Sequence, residues 1–367
     1  MNRTFFYLLI AFLCLKFGFA SAQKQKTKNK LQTEIISKGQ VWSAEKANQW
    51  YAQHKWINGA NYIPYNAINQ LEMWQADTFD PSRIDQELGW AEAIGFNTMR
   101  IFLHSLAWKQ DPEGFIGRVD KYLEIANKHK IQTIIVFFDD CWNKEAQIGK
   151  QPTPKPGVHN SGWLQDPGIR QNKDESIFTE LEKYVKDVMG HFSKDQRILF
   201  WDLYNEPGNR GKENASLPLL QAVFSWARDV NPDQPVTVGL WQWSFEELNK
   251  SQIENSDIIS YHNYEEPANH KRVVQILKSF GKPLICSEYM ARPKNSRFFN
   301  IMPLLKQENV GAINWGFVAG KTNTQYAWDI PLIDGREPDE WFHEIFLPDG
   351  TPYSIGEVNL IKRLNGK

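Results

Sequence analysis

The chain is short of cysteine, of net charge and of long apolar runs, and each shortage closes off a class of explanation. Three cysteines in 367 residues form no Cys-x-x-Cys pair, and His343-Glu344 has no second histidine four residues after the first. A zinc-protease motif is therefore absent, and no metal or cofactor is expected. A net charge of −1 gives no field to steer the protein toward nucleic acid or an acidic surface. The apolar stretch Phe5 to Leu15 is too short to anchor the chain across a bilayer. Internal repeats, interdomain linkers and coiled-coil signatures are lacking too, which leaves the oligomeric state open.

That apolar stretch follows Arg3 and precedes Ala20-Ser21-Ala22, small residues suited to cleavage before Gln23. Residues 1–22 thus read as a signal peptide, and residues 23–40 as a polar leader with a basic run to Lys30. Residues 41–367 read as one folded domain. Cys14 lacks the small residues before it that a lipoprotein signal needs, so periplasmic or extracellular export without a membrane anchor is expected. The mature chain keeps Cys141 and Cys286 near the ends of well-separated strands, and these are expected to be unbridged, buried small hydrophobes.

From Trp56 onward, apolar runs alternate with helical patterns, as in a parallel sheet. Candidate strands cover residues 58–66, 96–104, 132–142, 198–204, 235–243, 258–266, 283–292 and 311–320. Between them, Ile84, Leu88, Ala91 and Ile94 share one helix face, as do Val119, Tyr122, Leu123 and Ala126, and Leu181, Tyr184, Val185 and Val188. Eight strands with intervening helices predict an α/β fold, a single-domain (β/α)8 TIM barrel with long βα loops. The longest loop leaves the third strand, carries Pro152, Pro154, Pro156 and Pro167 around Trp163, and is expected to overhang the mouth. Another, with Trp74, follows the first strand.

Two acidic residues end otherwise apolar strands. In WDLYNEPGN, Pro207 cannot extend a ladder, so Glu206 falls at the carboxyl end of its strand, and in PLICSEYMAR the same holds for Glu288. A lone carboxylate there is ordinary helix capping. Two at one barrel mouth are what acid/base glycoside chemistry needs: a proton for the leaving oxygen and a negative charge against the oxocarbenium ion.

The Asn-Glu-Pro after one strand and the Glu ending a later one resemble the clan of retaining glycosidases on (β/α)8 barrels that includes cellulases, mannanases and β-galactosidases. The resemblance implies a β-glycoside hydrolase acting on a carbohydrate substrate, with Glu206 as acid/base and Glu288 as nucleophile. It further implies Arg100 beside the nucleophile, Tyr264 bonded to it, and His262 on the acid/base side. Asn205 would donate to the neighbouring sugar hydroxyl, and Trp315 would form the platform under the sugar. Trp74, Trp142, Trp163, Trp241, Trp243 and Trp328 fall near predicted loops, each serving either packing or sugar stacking. Many cellulase-type relatives carry a histidine after the third strand, where this chain has Asp139-Asp140-Cys141-Trp142. Asp139 or Asp140 then binds a sugar hydroxyl or forms a structural ion pair. A barrel that binds sugar without cleaving it, and a transglycosylase using the same residues, are the alternatives.

Overall fold

The computed structural model describes residues 39–172 and 176–367, which leaves the expected signal peptide and most of the leader outside the described residues. Eight strands follow in chain order: β1 (Asn58–Asn61), β2 (Thr98–Phe102), β3 (Gln132–Asp139), β4 (Ile198–Asn205), β5 (Val236–Thr237), β6 (Ile259–His262), β7 (Leu284–Glu288) and β8 (Gly311–Asn314). All pairings are parallel, in the order β5-β4-β3-β2-β1-β8-β7-β6. A bridge between Leu240 and Tyr261 joins the two ends, with Leu240 N–H donating to the Ser260 carbonyl at 2.9 Å and His262 N–H to the Leu240 carbonyl at 2.8 Å. The sheet is a nearly closed barrel with helices between its strands.

Helices start and stop where local chemistry dictates. In Pro81–Ile94, Asp80 accepts from the Arg83 N–H, proline occupies the first turn, and Gly95 closes the helix at φ 85°. The faces predicted from periodicity are buried: Ile84, Leu88, Ala91, Ile94, Val119, Tyr122, Leu123, Ala126, Leu181, Tyr184, Val185 and Val188 all lie in one continuous core. A separate cluster, with Ile134, Phe200, Ile285 and Ile313 from the strands and Ile57 and Ile258 just before β1 and β6, packs with Trp42, Ala47 and Tyr51. The last two lie on the first described helix, Ala44–Ala52, which is tied in by the Tyr51 hydroxyl donating to the Asn309 carbonyl at 3.0 Å.

Several strands stop earlier than the apolar pattern suggests. β5 keeps two paired residues of the expected 235–243, β1 ends at Asn61, and β8 ends at Asn314. Residues beyond these ends bend outward to build the mouth, as at Gly316 with φ 81°. The loop after β3 is less irregular than its prolines imply, because Asp139 and Asp166 exchange both backbone hydrogen bonds at 2.9 Å.

Candidate active site

β4 delivers Glu206 to the mouth through a strained turn. Its φ of 45° lies in the left-handed region, where a non-glycine residue is costly, and Gly208 follows at φ 88°. Asp140 holds this turn in place. Its carboxylate accepts from the Gly208 N–H at 2.9 Å, the Ser216 hydroxyl at 2.5 Å and the Tyr204 hydroxyl at 2.8 Å, and pairs with Lys212. Asp140 is fully buried. It shapes the loop rather than binding sugar, a correction to one of the two roles the sequence allowed.

Asp139 is likewise committed inward. It accepts from the Trp163 indole N–H at 2.8 Å, the Asn205 amide at 3.1 Å and the Cys141 N–H at 2.7 Å, and burial pushes its carboxyl up to about 7. Its oxygens orient Asn205 and lie buried beneath the mouth, out of reach of a sugar hydroxyl, so the sugar-binding option is corrected here as well.

Arg100 crosses the barrel interior with no exposed surface. Its guanidinium donates to Asp202 at 3.0 Å, Asn61 at 2.7 Å, Asn205 at 2.7 Å and Glu288 at 2.9 Å. Burial opposes its charge, but Asp202 and Glu288 more than offset that and keep it cationic. One side chain from β2 thus fixes residues from β1, β4 and β7, which only barrel closure brings together.

Glu288 also accepts from the Tyr264 hydroxyl at 2.8 Å. Glu206 accepts from the Asn209 amide at 2.5 Å and from the Cys141 thiol at 3.2 Å. His262 stands between them, its Nδ1 at 2.8 Å from Glu206 Oε1 and 3.4 Å from Glu288 Oε2. A ligand atom from each of the three lies within 4.8 Å of the others. The trio has the spacing of a cation site, but the Arg100 charge already in contact with Glu288 opposes a metal ion there.

Burial raises both carboxyls above the usual range, Glu288 as well as Glu206. For Glu288, the Arg100 guanidinium and the Tyr264 hydroxyl pull the other way without prevailing, whereas the sequence reading has these two holding it ionised. Burial depresses His262 to about 4, so the ring is neutral at pH 7.

The tryptophans divide. Trp74 is wholly buried, donates its indole N–H to the Phe102 carbonyl at 2.7 Å and stacks on Phe79, so it offers no face to sugar. Trp163, 2% exposed, stands edge-on to Phe102 and Trp315 while its N–H holds Asp139. Both are corrections: these side chains support the site from below. Trp315, Trp142, Trp241 and Trp328 keep partly exposed surface at the mouth. Trp315 leans edge-on against Phe102 at 5.8 Å, and Trp241 donates to the Pro207 carbonyl at 3.0 Å.

Cys141 and Asn209, both in contact with Glu206, carry no distinguishing sequence motif. Strand pairing could not have found Cys141 either: the register Asp139↔Asn205 sets Asp140, not Cys141, opposite Glu206, and the contact arises only where both chains leave the sheet.

A (β/α)8 barrel with a buried and a partly exposed glutamate, an arginine and a partly exposed tryptophan at its mouth has the architecture of a glycoside hydrolase. The sequence profile of the cellulase family (glycosyl hydrolase family 5) matches residues 58–321, most of the chain, and the chain belongs to that family. No curated protein matches it in sequence. Solved structures share the fold at low identity. An endo-β-1,4-mannanase from Thermotoga petrophila is 17% identical at a TM-score of 0.54, covering 86% of this chain and 77% of that one. An exo-β-1,4-mannosidase from Opitutaceae bacterium strain TAV5 is 15% identical at a TM-score of 0.61, covering 91% and 62%. A GH5_18 protein from Streptomyces cattleya, in complex with GlcNAc, is 11% identical at 0.60, covering 85% and 80%.

Proposed function

We propose that this glycoside hydrolase is an exported, retaining enzyme that cleaves β-linked oligosaccharides or polysaccharides by double displacement, with Glu288 as nucleophile and Glu206 as acid/base. The observation that carries this reading is the unequal surroundings of the two carboxyls. Glu288 is in direct contact with the guanidinium of Arg100 and the hydroxyl of Tyr264, whereas Glu206 receives only neutral donors and the neutral ring of His262. Two acids this close, one buried and the other largely enclosed, hold one negative charge more easily than two, and the charge rests on Glu288 while the proton rests on Glu206.

Attack of the Glu288 carboxylate on the anomeric carbon breaks the glycosidic C–O bond, and the leaving oxygen takes the Glu206 proton. Glu206, now a carboxylate, removes a proton from water as that water displaces Glu288. The separation of the carboxyl oxygens, within 4.8 Å, suits direct attack, for which the two groups stand roughly 5–5.5 Å apart, better than the wider gap of inverting enzymes.

Proton NMR of the first-formed product tests the stereochemistry, and an inverted anomer would overturn the assignment. Glu206→Ala and Glu288→Ala should fold and lose turnover, with azide rescuing the first to the β-azide and the second to the α-azide. The mannan-acting names among the structural neighbours put β-1,4-mannosides first among substrates to assay. Export is supported by the pattern of residues 1–22, and a mass starting near Gln23 for secreted protein would test it.

A further inference from the structure

Resting on the glycosidase reading, the arrangement of loops around the mouth leads us to propose that the enzyme acts from the non-reducing end of a β-linked chain, releasing a short terminal unit rather than cutting internally. The loops after β3 and β8 are welded together. Asn160 N–H donates to the Thr322 carbonyl at 2.7 Å, Leu332 N–H to the Gly157 carbonyl at 3.0 Å, and the Asn323 amide to the Lys155 carbonyl at 2.9 Å. His159 adds a ring-nitrogen contact to the Tyr326 carbonyl at 2.8 Å.

The weld carries a row of flat side chains across the mouth. The Arg210 guanidinium, from the loop after β4, lies 5.4 Å from the Trp142 ring, and Trp142 lies 5.2 Å from His159. His159 meets Trp328 of the β8 loop at 6.3 Å, and Trp328 meets Tyr264, after β6, at 4.8 Å. Tyr264 itself donates to Glu288. The row therefore runs from β3 and β4 to β6 by way of the β8 loop, on the side of the barrel occupied by β2, β1, β8 and β7. Only β5 lies outside it. The segment after β5 folds back on the β4 loop, where Trp241 donates to the Pro207 carbonyl and packs edge-on against Phe245.

Direction follows from the chemistry. The sugar attacked by Glu288 sits on the enclosed side, against Tyr264 and Trp315. The leaving group departs past Glu206 toward Asn209 and Trp241, the side the row leaves open. A chain can extend beyond its leaving oxygen but meets the welded loops beyond its attacked sugar. Recognition is thus of a non-reducing terminus, and the occupied pocket is short.

The test uses the mature protein with β-1,4-linked manno-, gluco- and xylo-oligosaccharides tagged at the reducing end, together with aryl monoglycosides and cross-linked dyed polysaccharides. Early in turnover, tagged products should be shorter than the substrate by one constant small unit, with dye release absent. Tagged fragments from the chain middle, or solubilised dye, would overturn terminal action while leaving the hydrolase reading intact. Inactivity on every substrate would overturn that reading, and this inference with it. Gly157→Ala opens the weld, since a methyl there would stand 1.6 Å from the Leu332 carbonyl oxygen at a φ of 68°. This variant should keep aryl-glycoside turnover and gain internal cleavage. An unchanged product pattern in a folded Gly157→Ala protein would count against the weld as the barrier, and the wild-type pattern decides should the variant fail to fold.

Discussion

The thiol of Cys141 lies 3.2 Å from Oε2 of Glu206, the carboxyl assigned here as the proton donor. Burial, then repulsion from Asp139, Glu206 and Glu288, holds this thiol well above its ordinary range, so it stays protonated and acts as a weak hydrogen-bond donor. Donation to the charged form of Glu206 favours that form. Cys141→Ala should therefore raise the Glu206 pKa and move the alkaline limb of the rate profile upward. A weak bond of about 0.5 kcal/mol corresponds to roughly 0.4 pH unit. Cys141→Ser, a stronger donor, should move the limb the other way. A pH profile unchanged in both variants would leave the thiol a packing group only.

Arg100 is expected to be the least replaceable residue of the site. Arg100→Met strands Asp202 and Glu288 as buried charges and should cost about 3–5 kcal/mol, read as a large fall in denaturation midpoint. Arg100→Lys keeps a charge but cannot make all four contacts. With the cation drawn away, the Glu288 pKa rises and the acid limb shifts to higher pH; a shift to lower pH would contradict the pairing.

Three buried carboxyls other than Glu206 and Glu288, namely Glu87, Asp139 and Glu344, are each raised to about 7 by burial. Such a group keeps its proton in the folded state where the unfolded chain has already released it. Its contribution is full below the unfolded value near 4.5 for glutamate and is lost as pH climbs to about 7. Thermal stability should accordingly fall from pH 5 to pH 7.5. Glu344, with Oε2 buried and without a hydrogen-bond partner among the described residues, offers the direct check. Glu344→Gln should be near neutral at pH 5 and stabilise by on the order of 1–3 kcal/mol at pH 8. Equal effects at both pH values would refute the titration.

Trp163→Ala removes a buried indole and the donor that holds Asp139. It should cost about 3–5 kcal/mol in stability and depress turnover of oligosaccharides and aryl glycosides alike. A loss confined to longer substrates would instead mean that Trp163 reaches the sugar.

Much of the fold is legible in the sequence because it is written in periodicities. Apolar runs such as those around Ile135 and Leu203, alternating with helical faces such as Leu181, Tyr184, Val185 and Val188, leave few architectures other than a barrel of parallel strands. Glu206 and Glu288 stand out for the same reason, as charges ending apolar strands next to residues that cannot continue them. Side-chain partners leave no such trace. Asp139 and Asp140 are adjacent in sequence and identical in type, yet one orients Asn205 and the other ties down the Gly208 turn. Trp74 ends a short helix after β1 and Trp328 lies in the β8 loop, both within segments the sequence reads as loops, but one is enclosed by Phe102 and Phe79 while the other leans on Tyr264 at the mouth. The choice depends on which oxygens and ring faces remain unclaimed once distant strands meet. Arg100 shows why: its contacts reach 39 to 188 positions away in the chain, a range over which local pattern carries no information and barrel closure carries all of it.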